Sequence, residues 1–112
     1  MKIYRISQEN RFSIEEIHTF EYLGARLEYG IGELDNQKVF LLISIMVPEE
    51  LRRKGIATKL IEDFFKTYSG QIVAVSGRTM LGDTLMPITK KLAQQSGSKL
   101  VEIENGKMKM LL

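Results

Sequence analysis

The alternation of apolar and polar positions changes period several times along the chain, and each change predicts an element. Met1-Lys2-Ile3-Tyr4-Arg5 alternates every second residue, so a first strand is predicted over Lys2 to Ile6. Ser13-Ile14-Glu15-Glu16 has the form of a capping box, in which serine and glutamate satisfy backbone N–H groups at a helix entrance. It predicts a short helix from Ile14 to about Tyr22, closed by Gly24, although Phe20 and Tyr22 also alternate as in a strand. Arg26 to Leu34 and Lys38 to Val47 read as antiparallel neighbours joined through Asp35-Asn36-Gln37. The second of them is apolar on both faces from Val39 to Val47, which suits a central strand covered on each side.

From Arg52 to about Ser69 the period lengthens to that of a helix. Ile56, Leu60, Ile61, Phe64, Phe65 and Tyr68 fall on one side, with Lys59, Glu62, Asp63 and Lys66 on the other. Gly70 suits the position after the helix end, and Gln71 to Ser76 is a short buried strand. Strand, helix and strand in that order imply a parallel crossover. Leu85, Ile88 and Leu92 mark another helix, with Asp83 or Thr84 as its cap, Pro87 in its first turn and Gly97 as its stop. Lys99 to Glu104, Asn105-Gly106 and Lys107 to Leu112 form a hairpin pattern. The expected fold is α+β: a mixed, mainly antiparallel sheet with a central β-α-β crossover, in a single domain over residues 1–112.

Composition removes several kinds of chemistry. With 112 residues, 44% apolar and 27% charged, the chain reads as one soluble domain. A net charge of +2 gives no general nucleic-acid footprint, so nucleic acid is not an expected partner. The absence of cysteine excludes disulfides, thiolate nucleophiles and Cys-ligated metals. A lone histidine, His18, argues against a His-rich metal centre or a Ser-His-Asp triad, so no metal is expected. Neither a signal-peptide pattern nor an apolar run of about 18 residues is present, so no membrane partner and a cytoplasmic location are expected.

The segment Pro48-Glu49-Glu50-Leu51-Arg52-Arg53-Lys54-Gly55-Ile56-Ala57-Thr58 carries the most chemistry. The first N–H groups of a helix lack internal acceptors, and the helix dipole is positive there, so an anion is favoured at that point. Gly55 lets backbone approach a phosphate, Ala57 is nearly as small, and Arg52, Arg53 and Lys54 supply cations. The alternative is a basic surface turn whose glycine only relieves crowding. Against it stand two features: cations oppose the dipole at a helix entrance, and the turn opens a parallel crossover, where ligands of open sheets gather.

Arg52-Arg53-Lys54-Gly55-Ile56-Ala57 resembles the Arg/Gln-x-x-Gly-x-Gly/Ala signature of the GCN5-related N-acetyltransferase superfamily. The flanking strand ending in Val47-Pro48-Glu49 and the helix continuing through Thr58-Lys59-Leu60-Ile61 are similar to its flanks, and the element order from about Arg26 to Leu112 is similar too. The resemblance implies an acyl-CoA N-acyltransferase-like fold and acetyl-CoA as cosubstrate, with its pyrophosphate held by Arg52, Arg53, Lys54, Gly55, Ile56, Ala57 and Thr58. Ile45, Met46 and Val47 would hydrogen-bond pantetheine through their backbone, where this strand splays from Ile72 to Ser76. The acceptor would be a primary amine on a small molecule or a protein, attacking directly. Pro48 and Arg52 are one residue further apart than the resemblance implies, so a small insertion or bulge is expected between them.

Candidates for catalysis are fewer. The resemblance implies an Asn near the start of the later helix and a Tyr near its end, the Tyr acting as general acid on the coenzyme sulfur. Those places fall on Met86 and Ala93, which cannot do this work. A backbone N–H near Ile45 or Met46 would stabilise the oxyanion, and Ser44, the only polar side chain from Val39 to Val47, would hold a water; otherwise Ser44 bonds neighbouring backbone. Glu28 and Glu33 are either bases or solvated strand carboxylates, and His18 reads as an ordinary surface residue. Arg78, Lys90 and Lys91 either meet the adenosine 3′-phosphate or form a solvated face. A noncatalytic acyl-CoA-binding module is the competing expectation. A protein-interaction module is another, in which the C-terminal hairpin edge allows a homodimer.

Overall fold

Tight turns with left-handed backbone set the first half of the chain. The computed structural model describes residues 2–5, 11–34, 36–75, 78–104 and 107–111. Leu23 and Gly24 have φ of 52° and 85°, and Asn36 has φ of 63°. Two consecutive positive φ values match the right-handed twist of flanking strands, so the chain reverses as a two-residue hairpin. The result is an antiparallel run of β1 (Lys2–Arg5), β2 (Arg11–Tyr22), β3 (Ala25–Leu34) and β4 (Gln37–Met46). After β4 come α1 (Ile56–Thr67), β5 (Ile72–Val75), α2 (Arg78–Gln95), β6 (Lys99–Glu104) and β7 (Lys107–Met110).

Among the described residues the strands form one mixed sheet in the order β1-β2-β3-β4-β5-β6-β7. β4 pairs with β5 and β5 with β6 in parallel; the other neighbours are antiparallel. The expected crossover through α1 is present, and α2 makes a second one. The protein is therefore α+β, with a mixed, mainly antiparallel sheet and, among the described residues, two α-helices.

The helix expected from Ile14 to Tyr22 does not form. Those residues belong to β2, whose register against β3 runs from Ser13↔Glu33 to Tyr22↔Ala25, with a bulge between Ile14 and Glu16. A helix of two or three turns is marginal in water, whereas a long strand pairs all along its length. Phe20 also gains a place in the core, stacked on Tyr29 with ring centroids 5.4 Å apart and edge-on to Phe64 at 6.4 Å.

Both helices pack on one face of the sheet. Ile56, Leu60, Ile61, Phe64 and Phe65 of α1 and Ala93 of α2 share a core with Leu27, Tyr29, Phe40, Leu42, Val73, Val75 and Leu100. Phe64 is central, with aromatic neighbours Tyr29, Phe40, Phe65 and Tyr68. On the opposite face Ile14, Leu34, Val39, Leu41, Ala74, Val101 and Ile103 form a second buried cluster, drawn, among the described residues, from strands. β4 contributes to both, which explains its lack of alternation. Gly30 serves this second face: a Cβ there would stand 2.9 Å from Ile14 Cδ1.

α2 begins earlier than expected. It starts at Arg78, not at an Asp83 or Thr84 cap, so Pro87 lies inside it. The proline removes the N–H that residue 83's carbonyl would accept, a local penalty that packing of the helix on the sheet outweighs. The stop at Gly97 is as expected: Gly97 has φ of 72°, its N–H donates to Gln94 O, and Ser98 N–H donates to Ala93 O at 2.9 Å. That pair of bonds is the glycine-dependent closure of a helix C-terminus. Gly70 also takes positive φ, 75°, but its N–H donates to Ser96 O at 3.1 Å, tying the two helix ends together.

A candidate anion-binding cleft at the start of the first helix

The register of β4 creates an opening. Among the described residues its pairing with β5 covers Phe40 to Leu42, with Leu42↔Val75 the last pair, while its pairing with β3 continues to Met46. Among the described residues, Ile43 to Met46 are thus bonded along one edge only. The ladder with β3 also slips here: Tyr29 faces Leu42 and Glu28 faces Ser44, leaving Ile43 as the extra residue of a bulge. A bulge bends its strand and increases local twist.

A cleft of about 680 Å³ lies along that opening. Ile45, Met46 and Val47 line it from the strand end, Leu51, Arg52, Arg53 and Gly55 from the turn, and Ile56, Ala57 and Thr58 from the first turn of α1. The opposite wall is Thr84, Leu85 and Ile88 of α2. Nine of the ten residues expected to hold the coenzyme thus line one space; Lys54 alone does not, and it is exposed.

The turn has a definite construction. Glu49–Leu51 forms one turn of 3-10 helix, with Leu51 N–H donating to Pro48 O at 2.8 Å and Arg52 N–H to Glu49 O at 3.2 Å. This turn lies between Pro48 and Arg52, and half-buried Leu51 anchors it to the core. Arg53 has φ of 66°, and Gly55, the residue capping α1, has φ of 75° and ψ of 12°. A left-handed cap favours glycine strongly, so Gly55 is required by backbone conformation. Crowding is not the reason, since a Cβ there would meet nothing within 4 Å.

The helix entrance is bare. No side chain caps it and no acidic residue lies in its first turn. The first intrahelical bond to form is Lys59 N–H to Gly55 O, at 3.0 Å, so the N–H groups of Ile56, Ala57 and Thr58 have no acceptor within the helix. Arg52 is held against the strand end by its Nε–H, which donates to Val47 O at 3.3 Å and leaves the rest of the guanidinium available. Lys59 is drawn away instead, 3.0 Å from Asp63 Oδ1 one turn on; that hydrogen bond and charge raise its pKa above the ordinary lysine value.

Other sequence candidates lie elsewhere. Ser44 is half-buried opposite Glu28 and does not line the cleft. Ala93 is fully buried and Met86 half-buried against the core, so neither offers chemistry. Glu33 is exposed beside Lys38 on the neighbouring strand. The side chain of Arg78 lies outside the described residues, and Lys90 and Lys91 do not line the cleft. His18 bonds Glu16 at 2.8 Å and stacks on Tyr29. Tyr29 in turn shares a 2.6 Å hydrogen bond with Tyr68, at the far end of α1 from the cleft. Burial first, then the Tyr68 hydroxyl, raises the Tyr29 phenol well above its ordinary value.

Thr84, Leu85 and Ile88 were not expected to bind anything. Their i, i+1, i+4 spacing marks one helical stripe, and α2 presents that stripe to the cleft. Among the described residues no cluster of His, Cys, Asp or Glu could hold a metal, and no helix is long and apolar enough to cross a membrane. Comparison with protein families, with curated proteins and with solved structures finds no match to this chain.

Proposed function

We propose that the cleft binds acetyl-CoA and that the chain is an N-acetyltransferase of acyl-CoA N-acyltransferase-like fold, acting on a primary amine. The observation that carries this reading is the bare entrance of α1, with a left-handed glycine cap and two arginines, opening onto an apolar channel. A diphosphate there would collect the N–H groups of Ile56, Ala57 and Thr58, each favourable contact with the dipole contributing about 0.3–1 kcal/mol. Arg52 and Arg53 would add charge-assisted hydrogen bonds, which are stronger than neutral ones. An amide-bearing arm running on from the diphosphate suits the half-bonded edge of Ile43 to Met46, since strand edges bind extended chains through backbone groups.

The chemistry then depends on position. A neutral amine nitrogen attacks the thioester carbonyl carbon, a C–N bond forms, and the C–S bond breaks with its electron pair leaving on sulfur. The amine loses two protons in all, one to reach the neutral form and one on forming the amide; the thiolate takes up one and solvent the other. Backbone N–H groups near Ile45 and Met46 are the available donors for the carbonyl oxygen. With no His, Tyr, Lys, Asp or Glu among the lining residues, water carries the protons.

A second reading is a noncatalytic acyl-CoA-binding module. Ala93 favours it, because the resemblance puts the general acid at this position and a fully buried methyl group cannot act as one. Incubation with acetyl-CoA and pooled amines, following free thiol, separates the two. Thiol release that requires an amine supports the transferase. Coenzyme binding without turnover on any amine supports the module, and no coenzyme binding rejects both.

A further inference from the structure

The acceptor side of the same site carries its own chemistry. Arg26 and Glu28 alternate along β3 with Ala25, Leu27 and Tyr29, which belong to the helix-side core, so both charges stand on the helix-free face. Most of that face is apolar, built on Val39, Leu41, Ala74 and Val101. At the end beside Ile43 to Met46 of β4 it turns polar: Arg26 and Glu28 face Glu21 and Thr19 of β2 on one side and Met46 and Ser44 of β4 on the other. Glu28 is in register with Ser44 and Arg26 with Met46, and the bulge at Ile43 lies at the inner boundary of this patch.

Met46 connects the patch to the cleft. It lines the cleft, it is 58% exposed, and its Sδ lies 3.7 Å from Arg26 Nη2. A thioether is a weak acceptor, so the guanidinium keeps most of its hydrogen-bonding capacity. Glu28 is half-buried, as is Ser44 opposite it. Among the described residues Arg26 and Glu28 form no ion pair with each other, nor with Glu21, which faces Arg26 from β2. Two opposite charges two residues apart on one strand face are separated by about 6.6 Å along the strand. The carboxylate is the inner of the two, level with the middle of the free edge; the guanidinium is the outer.

Resting on the acetyl-CoA reading, we infer that the acceptor is a free α-amino acid, taken on the helix-free face with its amine towards Glu28 and its carboxylate on Arg26. The polarity of the pair sets the orientation. An ammonium drawn to Glu28 presents its nitrogen to the half-bonded stretch of β4, while Arg26 grips the carboxylate at the outer rim. Planar guanidinium and carboxylate match in two parallel hydrogen bonds, so a carboxamide in that place loses both charge and fit.

The test begins with protein loaded with acetyl-CoA, its loading measured first by calorimetry. The common α-amino acids are supplied as a mixture, then singly, each against its carboxamide and its decarboxylated amine, with binding and thiol release as readouts. The expected result is a preference of about tenfold or more for the amino acid, the scale of one charge-assisted pair. Arg26→Gln should bring that ratio near one without changing acetyl-CoA affinity. Glu28→Gln should weaken amino acid and carboxamide alike. Equal use of amino acid and carboxamide, an undiminished preference in Arg26→Gln, or no amino acid bound by loaded protein overturns the inference and leaves the coenzyme reading standing. Failure of loading removes both, and the calorimetry shows it before any acceptor is added.

Discussion

Replacing Gly55 by glutamate separates ligand binding from folding more cleanly than any other single change. The side chain has room, because nothing lies within 4 Å of the Cβ position. Its cost is the left-handed backbone, φ of 75°, which disfavours a non-glycine residue by about 1–2 kcal/mol. Opposing that, a carboxylate at the positive end of α1 is worth about 0.3–1 kcal/mol, and the exposed Arg52 and Arg53 add about as much again at most. Folding stability should therefore fall by no more than about 1.7 kcal/mol, a melting shift of about 7 °C for a chain of this size. Binding should respond far more. One added negative charge about 4 Å from a bound phosphate costs about 1 kcal/mol in full solvent and about 4 kcal/mol in a half-screened site, or about 5- to 1000-fold in Kd. Calorimetric titration with acetyl-CoA and thermal melts of the same samples measure the two effects. Gly55→Ala is the control, carrying the strain without the charge, and should weaken binding much less than Gly55→Glu. If Gly55→Glu binds like the parent, or if alanine is as damaging as glutamate, the electrostatic reasoning is refuted.

Three further outcomes follow from the geometry. Arg53→Ala should weaken acetyl-CoA binding several-fold, whereas Lys54→Ala should leave it nearly unchanged, because only the arginine lines the cleft; parallel titrations decide. Gly30→Ala should destabilise the fold by about 1–3 kcal/mol through the clash with Ile14, and Ile14→Val in the same chain should recover part of it in urea denaturation. Alkali should weaken the fold through Tyr29. Its folded pKa lies above the free phenol value of about 10, so the unfolded chain releases this proton first, and the contribution present below pH 10 is lost as pH rises beyond it. Denaturation in the Tyr29→Phe, Tyr68→Phe double variant should show a shallower decline above pH 10 than the parent.

The candidate site was more legible than parts of the fold, because turn chemistry is local and topology is not. Gly55, the basic run and the apolar strand before them are adjacent in sequence, and in the structure nine of the ten residues chosen from them share a cleft. Lys54 carries the same charge as its neighbours, yet it does not line the cleft, which charge alone does not foretell. The N-terminal segment misled for the opposite reason. Ser13 to Glu16 carries a local helix signal, and only pairing with β3 partners from Ile31 to Glu33, well beyond the reach of local sequence, overrides it. Pro87 misled similarly: it suggested a helix start, yet packing of Leu85, Thr89 and Ala93 carries α2 through it. The α2 wall of the cleft and the charged patch of Arg26 and Glu28 depend on three-dimensional register, which no periodicity encodes.

The most direct measurement compares acetyl-CoA with acetyl-pantetheine, which keeps the thioester arm and lacks the nucleotide diphosphate, by titration calorimetry at low and moderate salt. The account predicts saturable one-to-one binding of acetyl-CoA, tighter than that of the truncated compound by about tenfold or more and weakened by salt, since the diphosphate supplies the charged contacts at the α1 entrance. Equal affinity for the two compounds, or no heat from either, would contradict it.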